Sequence, residues 1–250
     1  MIDPLSRYES HTITVEVENA NRTYPYRLLK PTEPDKSAPL VVFLHGAGER
    51  GDDNLAQLTY LPMWALSAGH LQDKACYLLA VQCPADEQWA PYEVSKEPLG
   101  DASPSLQAVI AAMQQVINRE NVDLSRIYLT GLSMGGYGSW DLAARHPRWF
   151  AAVVPICGGG RLETASQLVD VPIWAFHGTN DTVVQEAESR MMIEAIRAAG
   201  GRPAYSPLPD VGHGSWHFAY GPRGAIEWMF GQENPTPPAL NKADPGHAAD

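Results

Sequence analysis

Hydrophobic and polar residues alternate strictly over positions 12–18, where Ile13, Val15 and Val17 interleave with Thr12, Thr14, Glu16 and Glu18. A period of two predicts a half-exposed β-strand, and a second run at 24–29, reached across an asparagine-rich turn, predicts its antiparallel partner at a sheet edge. From Pro39 the pattern changes. Near-continuous apolar runs now stand singly at 40–44, 77–81, 127–130, 151–156, 173–176 and 204–208. Between them, apolar residues recur at helical spacing over 55–68, 105–119, 134–145, 185–199 and 224–230. Strands apolar on both faces that alternate with helices predict an α/β fold: a mostly parallel sheet with an antiparallel N-terminal hairpin and helices on both faces. Residues 84–104, polar and with four prolines, read as a long ordered loop whose Trp89 and Tyr92 either wall a pocket or pin the loop to the body. Residues 1–231 read as a single domain. Residues 232–250, with Pro235, Pro237, Pro238 and Pro245, read as a flexible tail.

Composition narrows the possibilities. The 250 residues, 44% hydrophobic and 19% charged, suffice for one core of ordinary globular character. A formal charge of −11 argues against nucleic acid or an anionic membrane as a partner. No apolar run is long enough to span a bilayer, and the first residues lack the basic and apolar regions of a signal peptide, so the expected location is the cytoplasm. Three cysteines are too few for a disulfide scaffold. Cys76 and Cys83 bracket an extended run about 23 Å long at ~3.3 Å per residue, too far apart to bridge. Cys157 reads as a small core residue.

The chemistry gathers at Gly131-Leu132-Ser133-Met134-Gly135-Gly136, between a strand-like run and a helix-like segment. A serine on a sharp strand-to-helix turn needs small neighbours, and the turn leaves the next amide at a helix N-terminus. Its hydroxyl is a weak nucleophile and requires a base, which in turn requires a carboxylate to hold its tautomer. Asp181 follows the apolar run 173–176 in His177-Gly178-Thr179-Asn180-Asp181, and His213 follows 204–208 between Gly212 and Gly214. The order Ser133, Asp181, His213 is that of a nucleophile-elbow triad. Two backbone amides would bind the oxyanion: that of Met134, and that of Ala47 in the glycine-rich loop Leu44-His45-Gly46-Ala47-Gly48-Glu49-Arg50-Gly51.

Other readings compete at several of these positions. Asp181 could instead cap the helix that begins near Gln185. Asp210 is a rival acid, but it stands only three residues from His213. His177 reads as an ordering residue of its loop. His213 and His217 have the i, i+4 spacing of a metal pair, but the flanking glycines argue against a helix and no third ligand is evident, so no metal is expected. Glu49, Arg50, Asp52 and Asp53 read as loop-ordering ion pairs.

Together the four motifs, in order over residues 12–230, resemble the α/β-hydrolase superfamily. More narrowly, they resemble bacterial carboxylesterases of the phospholipase/carboxylesterase and feruloyl-esterase-like type. That resemblance implies Ser133 as nucleophile, Asp181 as acid and His213 as base, with the Ala47 and Met134 amides as oxyanion hole and no cofactor. Dienelactone hydrolases share this fold but carry cysteine at the nucleophile position, and Ser133 counts against that branch. The stretch 158–171 is too short for an inserted cap domain, which implies an open site lined by Trp89, Tyr137 and Trp216. The leading expectation is a serine carboxylesterase acting on a small-molecule ester, short-chain or aryl. The alternatives are a peptidase or amidase using the same residues, and a silent binding module.

Overall fold

In a computed structural model of the protein, which describes residues 4–66, 71, 74–92, 99–222 and 224–240, eight strands form one sheet. These are β1 (Tyr8–Val17), β2 (Ala20–Leu29), β3 (Ala38–Leu44), β4 (Tyr77–Val81), β5 (Val122–Leu132), β6 (Ala152–Ile156), β7 (Trp174–Gly178) and β8 (Ala204–Leu208). Their spatial order is β1-β2-β4-β3-β5-β6-β7-β8. The β1–β2 and β2–β4 pairings are antiparallel and the others parallel. The hairpin turn is Glu18-Asn19, with both residues at positive φ (51° and 61°), so the first strand stops one residue short of the alternating run.

Along β3 the side chains divide between two cores. Leu40, Val42 and Leu44 face one, while Val41 and Phe43 face the other. The first core is closed by α2 (Pro104–Arg119), α3 (Met134–Arg145) and α4 (Glu186–Ala198), which contribute Leu106, Val109, Trp140, Leu142, Met192 and Ile193. The second is closed by α1 (Leu61–Trp64), α5 (Trp216–Ala219) and α6 (Ala225–Phe230), with Leu61, Ala219, Ile226 and Met229. Helix α2 starts at Pro104 because the Ser103 hydroxyl accepts the Leu106 N–H at 3.1 Å and proline is suited to the first turn.

Two expectations change. The helical pattern over 55–68 becomes a 3₁₀ turn (Ala56–Leu58) and the single turn α1, and positions 67 and 68 lie outside the described residues. Residues 232–240 pack on the body: Asn234 donates its backbone N–H to Ser125 (2.8 Å) and its side-chain amide to Arg148 (2.7 Å), and Leu240 touches the first core. The remainder of the expected tail, 241–250, lies outside the described residues, as do positions 93–98 of the long loop. Between β6 and β7 the chain forms only the 3₁₀ segment Leu162–Leu168, and no cap domain interrupts it. Among the described residues no helix is long and apolar enough to cross a membrane.

Candidate active site

Ser133 is the one residue between β5 and α3, with φ 54° and ψ −117°. A non-glycine residue holds such a conformation at a cost of about 1–3 kcal/mol, and only where its surroundings impose it. Here the Ser133 N–H donates to the Ile156 carbonyl (2.9 Å), while its own carbonyl accepts from Gly136 (2.8 Å) and Tyr137 (3.2 Å). Gly135 packs so tightly on β3 that a Cβ there would overlap the Leu44 carbonyl oxygen.

The loops after β7 and β8 are drawn together by a similar approach. A Cβ on Gly178 would overlap the carbonyls of Val211 and Gly212, and the Asn180 N–H donates to the Val211 carbonyl at 2.9 Å. As a result, His213 Nδ1 lies 2.7 Å from Asp181 Oδ2, and His213 Nε2 lies 2.9 Å from Ser133 Oγ. An ionised carboxylate only accepts, so Nδ1 carries the proton and Nε2 accepts from the serine hydroxyl.

Asp181 has two jobs, one at each oxygen. Oδ1 accepts the backbone N–H groups of Val183 (2.9 Å) and Val184 (3.0 Å), while Oδ2 faces His213. Burial pushes this carboxyl up, but the His213 hydrogen bond and the two amides outweigh it and leave the group below its ordinary value. His177, fully buried, donates from Nε2 to the Val184 carbonyl (3.0 Å) and lies 3.2 Å from Asp181 Oδ2. It therefore orders the acid's loop. Asp210 points elsewhere, its carboxylate 3.5 Å from the Asn180 amide.

Ala47 and Met134 each begin a helix, Ala47–Glu49 and α3, so neither amide has an acceptor in a preceding turn. Their segments touch: a Cβ on Gly46 would stand 2.9 Å from Leu132 Cδ1. The expected ion pairs of this loop are absent among the described residues. Arg50 donates instead to the carbonyls of Ala47 (3.0 Å) and Glu87 (3.3 Å). Asp53 accepts from Leu55, Ala56 and Gln82, and the Glu49 carboxylate lies against Gly46.

The three expected lining residues differ. Trp89 is fully buried and donates its indole N–H to the His45 carbonyl at 3.0 Å; it pins the loop from behind and cannot touch a substrate. Tyr137 is buried too, with its hydroxyl donated to Glu188, its ring against Tyr92 and one edge on a small cleft beside Ala90 and Arg161. Trp216 is half-buried and stands edge-on to His213, ring centres 5.4 Å apart. His217 packs on Trp64 at 5.1 Å and makes no pair with His213. Cys157, Asp181 and His213 do place metal-ligand atoms within 4.8 Å of one another. However, burial pushes the Cys157 thiol up to about 12, and the imidazole and carboxylate are bonded to each other.

A serine, an imidazole and a carboxylate in line at the carboxyl ends of a mostly parallel sheet define an α/β-hydrolase architecture. Residues 90–219 match the sequence profile of the dienelactone hydrolase family, and the chain belongs to that family. This overturns the inference that Ser133 sets the chain apart from that branch, because membership rests on residues spread across the second half of the fold and not on one nucleophile atom. The Escherichia coli (strain K12) protein named "Putative carboxymethylenebutenolidase" is 30% identical over 105 residues, which are 38% of this chain and 39% of that protein. The chain thus spans well under half the length of that relative. A crystallised thermostable esterase superposes with TM-score 0.82 at 36% identity, covering 92% of this chain and 64% of that one. A ferulic acid esterase superposes with TM-score 0.61 over 90% of this chain and 98% of that one, at 16% identity, and shares the fold.

Proposed function

We propose that the protein hydrolyses carboxylic esters through an acyl-enzyme on Ser133. The observation that carries this reading is the unbroken proton path from Ser133 Oγ through His213 to Asp181, at 2.9 and 2.7 Å, beneath a strained elbow. In this mechanism His213 Nε2 takes the hydroxyl proton as Oγ attacks the ester carbonyl. The Ala47 and Met134 amides stabilise the developing oxyanion. The imidazolium, held by Asp181, then returns its proton to the leaving alkoxide; water repeats the cycle in reverse and frees the acid. All of these groups come from the chain itself, so the scheme needs neither metal nor cofactor. The esterase name of the structurally similar protein supports the same reaction class. The absence of a cap between β6 and β7 favours short-chain or aryl esters over long buried acyl chains.

The test is Ser133→Ala assayed with p-nitrophenyl acetate, where turnover should fall by about six orders of magnitude, as nucleophile deletion does in a triad. Near-wild-type hydrolysis by that variant would overturn the proposal. Parallel assays on matched anilides separate esterase from amidase. Labelling of the wild type by a fluorophosphonate probe separates either from a silent fold.

A further inference from the structure

Tyr60 has φ 66° and ψ −117°, nearly the backbone conformation of Ser133. A bulky aromatic residue rarely adopts it, and such residues concentrate where a fold holds a side chain for use. The turn that follows is anchored: Leu61 is fully buried, and the Pro62 carbonyl accepts the hydroxyl of Tyr8 at 2.7 Å. So held, the half-buried Tyr60 ring meets Trp216 at 5.1 Å with a 57° tilt, and Trp216 in turn stands 5.4 Å from the His213 ring. Tyr60 also meets Trp64 at 5.8 Å and His217 at 6.2 Å, both edge-on. These contacts hold the ring against the loop that carries the base, next to Trp216.

We propose that Tyr60 and Trp216 form the wall that receives the alcohol portion of the ester, and that this wall selects aromatic alcohols. The inference rests on the esterase reading above. Because His213 must return its proton to the leaving oxygen, the alcohol portion lies on the histidine side of Ser133. Trp216 borders that side directly, and Tyr60, packed against it, extends it outward. An aromatic ring laid on this two-ring wall gains aromatic contacts worth about tenfold in kcat/KM over an aliphatic ring of similar bulk.

The experiment compares benzyl acetate with cyclohexylmethyl acetate, which share an acyl group and have leaving alcohols of similar size. Wild type should prefer the benzyl ester about tenfold, with the difference in KM. Tyr60→Asn, chosen because asparagine tolerates positive φ, should bring the ratio near unity, whereas Tyr60→Phe should keep it. Methyl phenylacetate against methyl hexanoate, where the ring lies on the acyl side, should show the same ratio in all three proteins. A Tyr60→Asn variant that keeps the benzyl preference, or that loses both esters equally, overturns the assignment. Fluorophosphonate labelling of Ser133 in each protein separates the failures: no labelling of wild type would sink the esterase reading itself, whereas normal labelling with an unchanged ratio would sink only the role of Tyr60.

Discussion

Glu49 stands three residues after Gly46 and turns its carboxylate back toward the Gly46 N–H, beside the short helix whose first amide belongs to Ala47. This is a capping box built on glycine, and it makes Glu49 a positioning residue for the proposed oxyanion donor. Truncation at Glu49→Ala should lower kcat roughly tenfold to a hundredfold, short of the 10²–10³ lost when a donor disappears outright. KM should change little, and Glu49→Gln, which still presents an acceptor oxygen, should recover most of the rate. Steady-state kinetics on p-nitrophenyl acetate check both outcomes. The sequence shows the glycine at 46 and the glutamate at 49, but four charges within positions 49–53 read equally well as ion pairs. Ser133, Asp181 and His213 were legible because each follows an apolar strand run at the sheet's carboxyl edge. His45 was not, since its role is buried contacts with Cys83 and Trp89, 38 and 44 positions away, and the sequence leaves the pinning and pocket-lining readings of Trp89 equally open.

At the scale of elements, both-face burial makes the parallel strands and the helices from α2 to α4 readable to within two residues, except that β5 begins at Val122, five residues before the apolar run. The segment after Asp53 misled, and its spacing shows why. Leu55, Leu58, Leu61 and Ala65 recur as a helix face would, yet Asn54 just before the run and Tyr60 within it both hold positive φ, and Tyr60 breaks the run in two. The Asn54 N–H donates to the buried Gln82 side chain at 2.7 Å, so a tertiary contact overrides the local period. The elbow depends on closeness rather than propensity. A Cβ on Gly135 has no room against Leu44, and the obstructing atoms are backbone that cannot swing aside. Gly135→Ala should therefore cost at least about 3 kcal/mol, at the upper end of overpacking penalties. Gly48→Ala, where a Cβ meets nothing within 4 Å, should change stability by less than about 1 kcal/mol. Urea unfolding of the two variants side by side measures the contrast, and equal losses would contradict the packing account.

For the whole molecule, acid resistance is limited by histidines that fold in the neutral form. His45 is buried at the end of β3, donating from Nδ1 to the Gly46 carbonyl (2.6 Å) and accepting the Cys83 N–H at Nε2 (3.0 Å). A proton on Nε2 would face an N–H donor, and burial lowers this group from 6.5 to about 4. Below the unfolded value the unfolded chain binds a proton that the native state refuses, so stability falls as pH drops from about 6.5 toward 4 and is flat above that window. The shift corresponds to a loss of about 3 kcal/mol once pH reaches the folded value. His146, stacked on Trp149 and also lowered to about 4, acts with the same sign. Glu49 and Glu188, raised by burial, act in the opposite sense, whereas Asp181, held low, adds its loss only at still lower pH. The His45 contribution is isolated by difference. His45→Gln should be less stable than wild type at pH 7.5, yet lose about 2–3 kcal/mol less than wild type on moving to pH 4.5, with urea m-values unchanged. Parallel losses in the two proteins across that interval would show that the imidazole at 45 is not the group whose protonation opens the fold.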